Sequence, residues 1–495
     1  MQKKDKAAYG KVITAFRRQQ RGATIADITA RTALPLEQVR ELVAAAADEY
    51  RARLEVTESG EILYSFPQGF VSKYRGFRRR VGRAWEKLQK GLKIAGTLIF
   101  KVWIMVMLIG YFALFMLIAL ATLVVSVAAG SSNSSNRSSR RDNGMGGLFL
   151  ATHIFDLIIR IWFYSELTKS LDGAYYGKGR AKPKGRPLHK AIFSFVFGDG
   201  DPNGDWSTRE KQSLIAYIQA HQGVISLPEF MALTGLPPDK ADQGILGCCA
   251  EFGGLPEATE EGTVVYRFDP LLLRADRQDR SFPGFSAIIR RLKPFSSNPK
   301  KMNVWFAVIN GVNLVFGGYF FFNALNMGAQ VSNATVSLAT YLYAVAYTLL
   351  RGFMADPLPV LTIGLGIVPL IFSVLFWLVP GLRFLRLKKD NEEVKLENLR
   401  KLGYGRIWDA PLTVTAGSLG SDIPECRPGN MAAAADRIIR DLGAYAVPEV
   451  GMDDRGGTVY AFTELAREKA ALEKYRASLN RRAASLGKTV FDSGG

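Results

Sequence analysis

A chain of 495 residues is too long for one ordinary domain, so several are expected. Its 64 Lys and Arg against 45 Asp and Glu leave a net charge of +19, which calls for a polyanionic partner, either nucleic acid or the anionic face of a membrane. Three cysteines, Cys248, Cys249 and Cys426, have no metal-ligand spacing; they exclude a disulfide framework and read as reduced thiols in a cytosolic compartment.

In chain order, the N-terminus MQKKDKAAYG lacks the apolar core of a secretory signal. Residues 8–68 read as a winged-helix domain. KVITAFRRQQRG is a helix, and TIADITARTALPLEQVRELVAAAADEYRARL is two more, joined by the turn Thr32-Ala33-Leu34-Pro35. TESGEILYSF at 57–66 then forms a two-stranded ribbon with Gly60 at its tip, and Ile62, Tyr64 and Phe66 alternate with Glu61, Leu63 and Ser65 as strand residues do. A basic juxtamembrane linker, 69–101, follows; its stretch 72–101 holds ten basic residues and only one acid, Glu86. Arg78, Arg79, Arg80 and Arg83 are its candidate lipid-headgroup contacts, each worth about 1 kcal/mol beside anionic lipid.

Residues 102–129 carry no charge and exceed the roughly 20 residues a membrane span needs. The stretch 147–164, GLFLATHIFDLIIRIWFY, is apolar but holds His153, Asp156 and Arg160 on one helical face. Each ion would cost about 3 kcal/mol at the bilayer centre, so they face the bundle. They serve either as an ion or proton relay or as a self-neutralised packing pair. Basic flanks around a loop with just three arginines make 102–164 a transmembrane hairpin. Residues 165–198 are a second basic linker with a helix.

Residues 199–272 combine an acidic loop with a second winged helix. TEEGTVVYRF at 259–268 repeats the first ribbon, and Leu34 to Gly60 spans the same 26 residues as Leu236 to Gly262. The loop DGDPNGDWSTRE (199–210) matches the calcium template: Asp199, Asp201, Asn203, Asp205 and Ser207 take alternate positions, Gly204 the sharp turn and Glu210 position 12. Pro202, Trp206 and the absence of a paired loop fit the alternative, a turn capping the next helix from Ser207 or Asp205 with Glu210 at its third position. Calcium is therefore a candidate cofactor, with no other expected.

AIFSFVFGDGDPN at 191–203 resembles an uncharacterised family of bacterial, cyanobacterial and chloroplast multi-span membrane proteins. Some chloroplast relatives carry a label suggesting iron–sulfur cluster biogenesis, which the three cysteines here do not support. The resemblance implies a membrane protein without a settled activity.

A basic linker, 273–302, contributes Arg290 and Arg291 as further headgroup contacts. The second hairpin, 303–380, comprises spans at 303–325 and 358–380, the latter expected to kink at its prolines, with 335–353 as an interfacial or re-entrant helix on the outer side. Residues 381–465 read as a degenerate third winged helix, with MAAAADRIIRDLG as its third helix and DDRGGTVYAF as its ribbon; 466–495 is a basic C-terminal helix and tail.

The fold class expected is thus a mainly α membrane protein in which two transmembrane helical hairpins alternate with cytosolic winged-helix (α+β) domains. Both termini lie in the cytoplasm, and the membrane is a bacterial inner membrane or its thylakoid or plastid equivalent. Eight basic residues balance eight acidic ones in 8–66, and four face ten in 205–270, which disfavours nucleic acid. No P-loop, G-x-S-x-G or H-E-x-x-H occurs, so no enzyme is expected. The reading is a membrane scaffold that docks an unidentified protein or self-associates; the alternatives are a calcium-responsive regulator and a membrane-tethered DNA-binding regulator.

Overall fold

The computed structural model describes residues 3–19, 22–70, 77–131, 186–275, 289–327, 338–452, 456–479 and 486–493. They are mostly helical and divide into two units. One comprises Met1–Gly82, Asp201–Lys293 and Lys388–Gly495; the other comprises Arg83–Gly200 and Pro294–Leu387.

The first unit is built on a repeated local grammar. Helices α1 (Lys3–Arg17), α2 (Ile25–Thr32) and α3 (Leu36–Tyr50) precede the ribbon β1 (Arg53–Thr57) and β2 (Ile62–Ser65). Thr24 and Asp27 form a reciprocal capping box at the start of α2, and Ala33 ends that helix in the left-handed region at φ 55°. Gly60 turns the ribbon at φ 79°. Val12, Phe16, Ile28, Val39, Val43 and Tyr64 close a small core over this set.

The same landmarks recur 202 residues on: cap Thr24 to Ser226, helix end Ala33 to Gly235, ribbon tip Gly60 to Gly262. Here the elements are helix Trp206–Ala220, strand β3 (Val224–Ser226), helices Leu227–Thr234 and Pro238–Phe252, and strands β4 (Leu255–Ala258) and β5 (Val264–Arg267), with sheet order β3-β5-β4. Ser226 and Glu229 rebuild the capping box.

The third set departs from expectation. Its irregular front half is preceded by a helix running through to Asp409, then two short 3₁₀ turns at Gly417–Leu419 and Pro424–Cys426. Helix Met431–Gly443 and strands β6 (Glu449–Met452) and β7 (Thr458–Ala461) follow as expected. The C-terminal helix begins at Thr463, three residues before the expected 466, and the tail contains a strand, β8 (Thr489–Asp492), paired to β1. The second and third sets share one core, to which the long helix contributes Leu399, Tyr404, Ile407 and Trp408.

The second unit holds helices long and apolar enough to cross a membrane: Gly91–Thr122, Lys300–Asn326 and Val360–Asp409, the last continuing beyond Leu387 into the first unit's residues. They overlap the three clearest spans read from sequence, 102–129, 303–325 and 358–380, the first helix starting earlier, at Gly91. The stretch 147–164 lies outside the described residues. Among the described residues Leu338–Arg351 is a helix of 14 residues, shorter than the roughly 20 a span needs, and it packs Tyr343 and Ala346 against Phe115, Phe320 and Leu361. Helix continues through Pro380, and the departure from α geometry is the π segment Val360–Ile367, two residues before Pro369, which has no N–H to offer the turn before it. A second π segment, Val106–Gly110, interrupts the first long helix. Leu117, Val304, Phe322 and Ile371 point outward and are more than half exposed, an apolar face that water would penalise and lipid would not.

Gly366 lies against the Phe321 backbone, where an added Cβ would stand 3.1 Å from its Cα, while Gly318 faces open space. Gly366→Leu is therefore expected to lower the unfolding midpoint of the detergent-solubilised protein by the equivalent of about 1–3 kcal/mol, and Gly318→Leu to leave it unchanged. Equal midpoints would mean that these helices do not approach so closely.

Candidate functional site

Among the described residues a dense polar construction lies on the segment 289–293, which belongs to no sheet. Such a backbone presents N–H and C=O groups that must be satisfied. Three asparagines do this, each by the same two-point contact. Asn398 accepts from the Arg290 N–H (2.8 Å) and donates to the Arg290 carbonyl (2.8 Å). Asn203 does the same for Arg291 (3.0 and 2.7 Å), and Asn391 for Lys293 (2.9 and 3.0 Å). Asn398 is fully buried and also donates to the Glu425 carbonyl at 2.8 Å.

Beneath this segment, Lys401 is fully buried with its Nζ 3.0 Å from Glu210 and 4.4 Å from the Trp206 ring. Burial lowers the Lys401 pKa, and Glu210 opposes that by favouring the charged form. Arg290 and Arg209 also approach the Trp206 ring, each at 5.8 Å, and Arg290 pairs with Glu397 at 2.7 Å.

The acidic loop is absorbed into these contacts. Asp201 pairs with Lys293 (3.0 Å), Asn203 holds Arg291, and Asp205 pairs with Arg209 (2.8 Å). Glu210 meets Lys401. In the second unit, Asp199 accepts from Arg186, Ser194 and the Ser297 N–H, and these donors hold its carboxyl well below the usual range even though burial pushes the other way. Each acidic group thus already serves a cation or an amide, and among the described residues no group of three or more His, Cys, Asp or Glu could hold a metal. The donor set does not fit a calcium ion. The capping alternative fits only in part. The helix starts at Trp206 after Asp205, whose side chain makes no cap bond, and Glu210 falls in its second turn.

Of the other sequence-derived sites, His153, Asp156 and Arg160 lie outside the described residues. Arg78, Arg79, Arg80 and Arg83 fall on the helix Phe77–Met105, their side chains outside the described set. Arg290 is committed to Glu397 and Trp206, while Arg291 is exposed. Cys249 and Cys426 are buried and Cys248 is half-buried, all free; burial pushes the Cys248 thiol up to about 12 and the Cys426 thiol to about 11.

Sequence reasoning missed Lys401, Asn391 and Asn398. One signal was present. Asn391 and Asn398 are seven residues apart inside a helix, where asparagine is a poor helix former, so they mark one face. A second buried set was also missed. Arg476 forks onto Glu229 (2.7 and 2.9 Å), and the Tyr445 hydroxyl meets Glu468 at 3.1 Å. Burial, with the nearby Glu229 charge adding to it, raises the Glu468 carboxyl to about 7, against the Tyr445 hydrogen bond.

No family model matches the chain, and no solved structure matches it. It is similar to an uncharacterised chloroplastic protein of Arabidopsis thaliana, at 24% identity over 407 residues, 79% of this chain and 71% of that one. This distant likeness agrees with an uncharacterised family that extends into chloroplasts and with a plastid-type membrane protein.

Two measurements probe these sites. Asn398→Ala strands the Arg290 and Glu425 groups and is expected to cost about 1–3 kcal/mol of stability in denaturant titration. Because the folded Glu468 pKa stands above the unfolded value of 4.5, its contribution is full below 4.5 and lost as pH rises through about 7. Glu468→Gln should therefore flatten the stability profile between those values and raise stability at pH 8; an unchanged slope would remove Glu468 as its source.

Proposed function

We propose that the chain is a membrane-anchored scaffold whose three α/β sets are winged-helix modules that dock protein. The order helix, helix, helix, ribbon in 3–65, repeated in 206–267, supports the winged-helix reading. The two-hairpin topology with both termini in the cytoplasm, or its plastid equivalent, is supported by the basic flanks at 72–101, 288–301 and 382–389.

One observation carries the protein-docking reading over nucleic acid. Helix Pro238–Phe252 is the one a winged helix would offer to a DNA groove. Its exposed residues are Asp239, Lys240, Asp242, Gln243, Leu246, Gly247 and Ala250. Two carboxylates outnumber the single cation, so phosphate contact is unfavourable. Leu246, Gly247 and Ala250 form a low apolar step that admits close approach of another protein element.

The test is in-membrane cross-linking of full-length protein, wild type against Leu246→Asp and Ala250→Arg. The scaffold reading expects a specific partner, or a self-association, that both variants lose while their melting midpoints stay within a degree or two of wild type (about 0.5 kcal/mol for surface changes). Recovery that ignores both substitutions, or salt-sensitive binding of duplex DNA by the wild type, would overturn it.

A further inference from the structure

The strand β8 sits on the first ribbon in a way that neither the winged-helix plan nor the docking helix requires. The sheet order is β2-β1-β8, so β1 takes one partner from its own hairpin and another from the end of the chain, more than 430 positions away (Arg53 to Asp492). The attachment is made almost wholly of backbone and polar contacts. Glu58 N–H donates to the Lys488 carbonyl at 2.9 Å and Ser59 N–H to the Leu486 carbonyl at 3.3 Å. Ser493 N–H donates to the Leu54 carbonyl at 2.9 Å, and its hydroxyl accepts from Leu54 N–H at 2.8 Å. Asp492 meets the Arg53 guanidinium through both of its oxygens.

Apolar burial is what this strand lacks. Val490 is 70% exposed and Phe491 59%, so neither side chain enters the core. The ion pair is solvated, with Arg53 and Asp492 side chains 43% and 29% exposed, and such pairs contribute little. The register also breaks between Val56 and Thr57. Gly487 approaches so closely that a Cβ there would collide with Glu58, and it adopts φ +70°, so the tail is shaped to its seat without being packed into it. A strand held by main-chain bonds at an open edge is the geometry of peptide recognition by strand addition.

We propose that the β1 edge of the first ribbon is a strand-receiving site, and that the chain's own segment Leu486–Ser493 is its exchangeable resident. The ligand class is an extended peptide with glycine at its start and a carboxylate to meet Arg53 near its end. The proposal stands apart from the docking helix Pro238–Phe252, since it concerns a backbone edge on another module. The tail, tethered to the same chain, competes with any incoming strand at a high effective concentration.

The experiment compares the full chain with a chain ending at Leu479, using the synthetic peptide LGKTVFDS as probe. Amide hydrogen exchange is read at Leu54, Glu58 and Ser59. In the shortened chain these amides should exchange faster, and added peptide should restore their protection; the full chain should need at least about tenfold more peptide for any effect. Arg53→Ala in the shortened chain should weaken the peptide by about two- to fivefold, the range of an exposed pair. A full-length Asp492→Lys variant should bind the peptide more readily than wild type. Failure of the shortened chain to fold would overturn the proposal, because a strand required for folding is not exchangeable. So would a folded shortened chain that the peptide does not protect, or equal peptide binding by the full and shortened chains.

Discussion

A segment without a sheet partner leaves its peptide groups to be met from elsewhere, and Arg290, Arg291 and Lys293 each meet an asparagine side chain. The carboxamide is the one uncharged side chain apart from glutamine's that offers an acceptor and a donor in the spacing of a peptide group, so it can stand in for a neighbouring strand. Asn203 arrives from the loop, while Asn391 and Asn398 arrive from the long helix. The arrangement ties a loop, a linker and a helix far apart in sequence into one body of the first unit. Lys401 and Glu210 then fill the space beneath, where an unpaired lysine would be costly.

This accounts for the GDGDPN segment in physical terms. Alternating oxygen-bearing side chains suit a cation, but they suit the cations and amides of the protein's own chain equally well. Asp201 and Asn203 serve Lys293 and Arg291 in the first unit; Asp199 serves Arg186 and Ser297 in the second. Two of the four passages of the chain between the units, at Gly200 and Asp201 and at Lys293 and Pro294, have these bonds on either side, each within its own unit.

What could be read from sequence followed from local rules. The ribbons, their glycine tips and the apolar helices announce themselves through periods of two and 3.6 and through residues with restricted backbone preferences, so they were legible. Contacts between distant segments leave no such trace. Asn391 drew no reading, and Arg290 read as a lipid contact, because nothing local reveals Lys293 or Glu397 opposite them. The calcium reading of 199–210 was a local match, whereas the partners those side chains meet, Lys293, Arg291 and Lys401, lie far away in sequence. Strand β8 was missed because KTVFD is too short and too polar at its ends to look like anything but tail.

The helical unit obeys the same rule of satisfaction under a harsher penalty. Asn313 Nδ2 donates to the Leu108 carbonyl at 2.8 Å, and Leu108 lies within the π segment Val106–Gly110. A wider turn shifts the hydrogen-bond pattern and leaves a carbonyl short of its usual helical donor. Asn310 Nδ2 reaches the Ser373 carbonyl at 2.9 Å, in the α-helical stretch that follows the second π segment. Both asparagines are fully buried among apolar helices. In lipid, where no water accepts the loose ends, a departure from α geometry is eased where a neighbouring side chain meets the freed group. Asn313 therefore stands opposite the irregular turn of its neighbour, and the side-chain type that holds the linker 290–293 in one unit meets a bulged helix in the other.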